Sequence, residues 1–76
     1  MNDGKRNLRR MSSLPEVKAY LNEVRDAMRI NDQVVFEAPE KLVGEVVKAV
    51  MGVELSVIDI YEGSKGYLVF VVEKRF

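Results

Sequence analysis

The chain has 76 residues and contains neither cysteine nor histidine, and these two absences remove most of the familiar reaction chemistry. Without cysteine there are no disulfides, no thiolate nucleophiles and no thiolate metal ligands. Without histidine, serine-histidine catalysis and histidine-ligated zinc are excluded, which leaves only carboxylates, lysine, tyrosine and serine for proton transfer. The composition therefore predicts no catalytic residues, no metal and no cofactor, and it favours a binding role over an enzyme without excluding catalysis.

The chain also lacks a net charge, with 12 basic and 12 acidic residues, so no global field draws it to nucleic acid. The basic residues are nevertheless concentrated near the start, while residues 14–76 carry eight basic against eleven acidic groups. We therefore predict a basic flexible arm over residues 1–10, which could end in a short edge strand, and a single domain over residues 11–76. The candidate contacts with a partner or a phosphate group are Arg6, Arg9, Arg10 and Lys18.

Long apolar runs are missing as well. No segment approaches the length that a membrane span requires, and residues 1–13 lack the apolar middle of a signal peptide. The sequence thus predicts a cytoplasmic soluble protein that does not contact a membrane.

Two amphipathic helices are predicted. Ser13-Leu14-Pro15-Glu16 has the spacing of a capping box, so a first helix should start there and run to the turn-forming group at residues 30–32. Its apolar side chains recur with the helical period. A second helix should begin at Pro39 and end at Gly52, which is a natural left-handed cap.

The remaining apolar runs predict strands. Residues 33–37 form a short one, and residues 53–72 form a hairpin around a loop that contains Gly63 and Gly66. The first hairpin strand alternates, as expected near a sheet edge, and changes phase at Val57-Ile58, which predicts a bulge. The second, Tyr67 to Val72, has no polar residue, so we place it in the sheet interior.

This order predicts a two-layer α/β sandwich with β-α-β-α-β-β topology. Its sheet should be mixed, with both helices on one face and the last strand antiparallel and interior. Because the helices cover only one face, the other should expose an apolar patch. We expect this open sheet face to support a homodimer or to bind another protein.

The same order of helices and strands, together with several short sequence matches, resembles the TusA/SirA-like family of small sulfur-carrier proteins. The fold of that family is shared with the C-terminal domain of a bacterial translation initiation factor. The family motif is Cys-Pro-x-Pro at the start of the first helix, followed by a Gly-Asp turn and a strand. Here Leu14-Pro15-Glu16-Val17 stands in place of the motif and Asn31-Asp32 in place of the turn. The likeness covers about residues 7–75, and Pro15 and Asp32 are the motif positions retained.

The resemblance implies a member that has lost sulfur chemistry, because Leu14 occupies the position of the cysteine that carries the persulfide in the family. On this interpretation the protein acts by docking on a partner protein, through the start of the first helix and the basic arm. The alternative is a small nucleic-acid-binding module that uses the same arm and is opposed by the acidic body. An enzyme or a true sulfur carrier is a third hypothesis, opposed by the missing cysteine and histidine.

Overall fold

A computed structural model describes residues 8–76 and confirms the predicted two-layer α/β sandwich. The helices are α1 (Leu14–Ala27) and α2 (Val43–Gly52), and a single 3₁₀ turn (Glu40–Leu42) precedes α2. The strands are β1 (Arg9–Arg10), β2 (Gln33–Pro39), β3 (Ser56–Glu62) and β4 (Tyr67–Glu73). Residues 1–7, with Arg6 and most of the predicted arm, lie outside the described residues.

The sheet has the order β1-β2-β4-β3, so the apolar strand β4 lies between two others, as its sequence predicts. It pairs antiparallel with both β2 and β3, and β1 pairs parallel with β2. The predicted bulge is present, because the β3–β4 register shifts between Val57 and Asp59. The mixed sheet and the antiparallel, interior last strand are therefore confirmed.

The core lies between the sheet and the two helices. Val17 and Leu21 of α1 and Val46 and Val50 of α2 belong to one buried cluster with Phe36, Phe70 and Val72 of the sheet. The Phe36 and Phe70 rings are stacked with their centroids 5.4 Å apart. Both helices therefore cover the same face of the sheet.

The start of α1 is capped by the residues that the capping box predicts, with one difference in partner. The Glu16 backbone N–H donates to the Ser13 hydroxyl at 3.4 Å, while the Glu16 carboxylate accepts from the Ser12 N–H at 2.9 Å rather than from that of Ser13. At the other end the helix stops at Ala27. There the Asp32 carboxylate accepts from the Arg29 N–H at 2.9 Å, which is the turn role expected of Asp32.

Two predictions about the second helix are wrong. Pro39 is the last residue of β2 rather than the first of a helix, and the α-helix starts only at Val43. Gly52 remains within α2, and the left-handed residue is Glu54, with φ of 65°. Its N–H donates to the Met51 carbonyl, and the next N–H, of Leu55, donates to the Val50 carbonyl. These two bonds form a Schellman motif whose left-handed residue lies two positions beyond Gly52, the last residue of α2.

The edge strand β1 joins part of the predicted arm to the domain. Arg9 lies opposite Phe36 and Arg10 opposite Glu37 in the parallel register. The next residue, Met11, donates its N–H to the Glu37 carbonyl at 2.8 Å and buries its side chain in the core. Arg9 and Arg10, which the sequence analysis assigns to the arm, therefore take fixed positions at one side of the sheet.

Candidate functional site

Leu14 and Pro15, the two candidate site residues at the start of the first helix, lie in the first turn of α1. Leu14 is half-buried and Pro15 is exposed. Proline is tolerated in this first turn because no backbone donor is needed there. Leu14 also forms one end of a groove between α1 and α2. The structure therefore places Leu14 at an accessible apolar surface.

This inter-helix groove has a volume of about 400 Å³. Leu21 and Val53 contribute to its apolar lining, and two of the residues on its α2 side, Ala49 and Gly52, are small. A Cβ added at Gly52 would meet no atom within 4 Å, so the space beside it is open. Polar side chains complete the lining: Lys18, Asn22, Glu45 and Lys48. The inter-helix groove is thus mainly apolar, with two ammonium groups and one carboxylate among its side chains.

Of the candidate basic residues, the structure brings only Lys18 together with Leu14 at this groove, within the part of the chain that it describes. Arg9 lies over the ring of Tyr20 at 5.1 Å, on the helix side of the sheet. Burial raises the pKa of that tyrosine hydroxyl, and the nearby Arg9 opposes the effect. Arg10 lies over the ring of Tyr67 at 4.6 Å. The two arginines of β1 are therefore engaged by the chain itself and point to opposite faces.

A cluster of polar side chains, which the sequence does not predict, lies on the face of the sheet that the helices leave uncovered. Glu37 is only 4% exposed although it is charged. Its carboxylate accepts from Arg10 Nε at 3.2 Å, from the Ser64 backbone N–H at 2.8 Å and from the Ser64 hydroxyl at 3.1 Å. Arg10 also donates to the Ser64 hydroxyl at 2.7 Å. The carboxylate thus ties the β3–β4 loop and the edge strand to the middle of the sheet.

The hydrogen bonds to Glu37 change its acidity. The Ser64 N–H is the largest influence, and together with Arg10 and the Ser64 hydroxyl it lowers the pKa of Glu37 below its ordinary value, against the raising effect of burial. The approach of the loop is close, because a Cβ at Gly63 would collide with this carboxylate. Gly63 is the feature of the sequence that could indicate this cluster. Its close contact with Glu37 can be inferred only when the strand register is known.

The remainder of the open face is apolar. Cross-strand partners share a face, so the register places Val35, Val71, Val69 and Tyr61 on the same side as Glu37. Val69 is covered by Gly63 and its neighbours, whereas Val35 and Tyr61 are exposed. Asp59 lies beside Val71 at the β3 edge. The open sheet face, defined here by Val35, Val71, Tyr61, Arg10 and Asp59, therefore has an apolar centre, with Arg10 paired to Glu37 on the β1 side and Asp59 on the β3 side.

Among the described residues, no three acidic side chains come together in a way that could hold a metal ion. The most unusual carboxylate, Glu37, accepts hydrogen bonds from Arg10 and Ser64 of the chain itself. Within residues 8–76 no helix is long and apolar enough to cross a membrane.

No protein-family model matches the chain, and no curated protein is significantly similar to it.

Proposed function

We propose that this chain is a cytoplasmic, non-catalytic protein of the TusA/SirA-like type that docks on a partner protein through the inter-helix groove. The observation that carries the proposal is that Leu14, at the motif position, forms the end of an open apolar groove. A leucine there can bury apolar area against a partner, but it has no sulfur to load. Docking is thus the part of the family's role that these residues can still perform.

The lining of the groove indicates the chemistry of its partner. Lys18 and Lys48 outnumber Glu45, so a segment with apolar side chains and nearby carboxylates fits it best. A helix of the partner would suit the groove, because amphipathic helices commonly insert apolar side chains between neighbouring helices. We expect most of the affinity to come from apolar burial and the lysines to contribute orientation and association rate.

A second copy of the chain is the other partner that we propose, and it would bind the open sheet face. The groove is formed by the helix layer and the open face by the other side of the sheet, so the two interactions do not compete. The nucleic-acid alternative has weaker support, because Arg9 and Arg10 lie over tyrosine rings and Arg10 also binds Glu37.

Site-specific photo-cross-linking in the native host tests the docking proposal. A photoreactive phenylalanine analogue at Leu14 should capture a recurrent protein adduct, and the same probe at Glu23, on the opposite side of α1, should not. Gly52→Leu places a side chain in the open space of the groove and should remove the adduct without disturbing the fold. Equal capture at Leu14 and Glu23, or an adduct that survives Gly52→Leu, would contradict docking in the groove.

A further inference from the structure

We infer that the outer edge of β3 binds an extended segment of another protein by strand addition, and that this segment alternates apolar and basic side chains. Within residues 8–76 β3 is the last strand of the sheet, so one of its edges has no neighbouring strand there. Such an edge can accept a further strand through backbone hydrogen bonds. This surface is separate from the inter-helix groove, and the inference does not depend on docking in the groove.

The strand register shows which backbone groups of β3 point away from the sheet. The Gly63 N–H donates to the Tyr67 carbonyl at 3.0 Å, so these two residues form a hydrogen-bonded pair. Hydrogen-bonded and non-hydrogen-bonded pairs alternate along an antiparallel ladder. Counting back along the β3–β4 register, Ile60 and Glu62 fall in non-hydrogen-bonded pairs. The N–H and C=O groups of both residues therefore point away from β4, toward the position of an added strand.

The regular part of this edge is short and acidic. The bulge between Val57 and Asp59 interrupts the ladder, which leaves Asp59 to Glu62 as the regular stretch. Residues 49–64 include three acidic residues and no lysine or arginine. Antiparallel pairing with β3 of a second copy would gather the carboxylates of Asp59 and Glu62 from both chains in this stretch. The acidic residues therefore oppose self-pairing and favour a strand that carries basic side chains.

The two sides of the edge differ in chemistry, and the first side is polar. Asp59 pairs with Val71 and Tyr61 with Val69, so both side chains point to the side of the sheet that the helices leave uncovered. Both are exposed, Tyr61 to 50%. A lysine or arginine on this side of an added strand would meet the Asp59 carboxylate and the face of the Tyr61 ring, which attracts cations.

The other side of the edge is apolar. Ile60 points to the helix side, because it pairs with a core residue of β4, and it is still 37% exposed. Ala49 and Gly52 of α2 face the groove toward α1, so by helical spacing Val47 and Met51 lie on the opposite flank of α2, the flank toward β3. Met51 is 65% exposed. Apolar side chains on the helix side of an added strand would cover Ile60 and Met51, which gives the alternating pattern.

Binding of a fluorescent, end-blocked hexapeptide that alternates valine and lysine tests the charge pattern. Its anisotropy should show saturable binding with a dissociation constant below about 1 mM. Asp59→Lys should weaken this binding at least about fivefold, and a peptide that alternates valine and glutamate should prefer Asp59→Lys over the wild type. Asp26→Lys is the matched control, because the Asp26 side chain is 77% exposed on α1, on the other side of α2 from β3, and it should leave the affinity unchanged. Circular dichroism checks that each variant keeps the fold.

N-methylation of the peptide tests strand addition itself. In a strand the N–H groups of alternate residues point to opposite edges, so methylating either the three valine amides or the three lysine amides gives two peptides of equal mass and charge that block opposite edges. One should bind like the parent peptide, and the other should bind at least about tenfold more weakly. Hydrogen exchange should be slowed by the parent peptide at the amides of Ile60 and Glu62 and unchanged at that of Tyr61, which already faces β4.

Four results would overturn the inference. They are no binding of the valine-lysine peptide up to about 1 mM, equal weakening by Asp59→Lys and Asp26→Lys, equal binding of the two methylated peptides, and protection that does not include Ile60 and Glu62.

Discussion

The carboxylate of Glu37 offers the sharpest perturbation of the fold. Replacing Glu37 by Ala removes the acceptor for Arg10 Nε and for both the N–H and the hydroxyl of Ser64, and it frees the β3–β4 loop from the sheet. Breaking a fully buried ion pair costs about 3 to 5 kcal/mol. The Arg10 side chain is 51% exposed and regains water, so we expect a smaller loss of about 2 to 4 kcal/mol.

That loss is large for a domain of this size. A single core below about 70 to 80 residues supplies a margin of only about 3 to 5 kcal/mol. Urea unfolding followed by far-ultraviolet circular dichroism should therefore show Glu37→Ala close to unfolded without denaturant. Glu62→Ala is the matched control, because Glu62 is an exposed carboxylate at the end of β3, and it should change stability by no more than about 0.5 kcal/mol. Equal unfolding midpoints for the two variants would refute the structural role of Glu37.

The pH dependence gives an independent measure of the same contact. Because the folded state lowers the pKa of Glu37 below its ordinary value of 4.5, its ionised form stabilises the fold above that pH. This stabilisation is lost as the pH falls below 4.5 and through the folded-state pKa. The stability difference between the wild type and Glu37→Gln should therefore narrow on acidification in this range. A constant difference would show that the carboxylate charge contributes nothing.

Three further outcomes follow from the geometry. Glu54→Gly should stabilise the fold by about 1 kcal/mol, because Glu54 holds a left-handed φ of 65° that glycine adopts without steric cost, and the melting temperature should rise by about 4 to 8 °C. Gly44→Ala should add about 0.5 to 1 kcal/mol by the same thermal measurement, since a Cβ there meets nothing within 4 Å and alanine is the better helix former; an unchanged or lower melting temperature would contradict either expectation. Incubation with a persulfide donor should add no sulfur to the intact mass, because Leu14 replaces the cysteine and the chain has no thiol, and a labile gain of one sulfur atom would contradict this.

Features that depend on one segment were predictable from the sequence. The polar-free run from Tyr67 to Val72 predicts an interior strand because an edge position would leave it open to aggregation. The phase change at Val57-Ile58 predicts the bulge, since one extra residue reverses the side to which later side chains point. The Ser13 cap follows from hydrogen-bonding groups that lie within four residues of each other.

Features that depend on pairing between distant segments could not be predicted from the sequence. The sequence pattern predicts that Glu37 is an exposed residue near the start of a helix. Its partners Arg10 and Ser64 each lie 27 residues away in sequence and contact it only because of the sheet register. The left-handed cap of α2 was assigned to Gly52 because glycine is the usual left-handed residue, whereas here Glu54 takes that conformation and Leu55 is buried beside it. The groove at Leu14 likewise depends on how α1 packs beside α2.

The affinity of the purified partner, once it is identified by cross-linking at Leu14, tests the central claim most directly. Titration calorimetry should show binding weakened at least tenfold by Gly52→Leu and by Lys18→Glu, which alter the groove, and unchanged by Val35→Lys, which alters only the open sheet face. A partner that binds Gly52→Leu as tightly as the wild type but is lost with Val35→Lys would contradict docking in the groove.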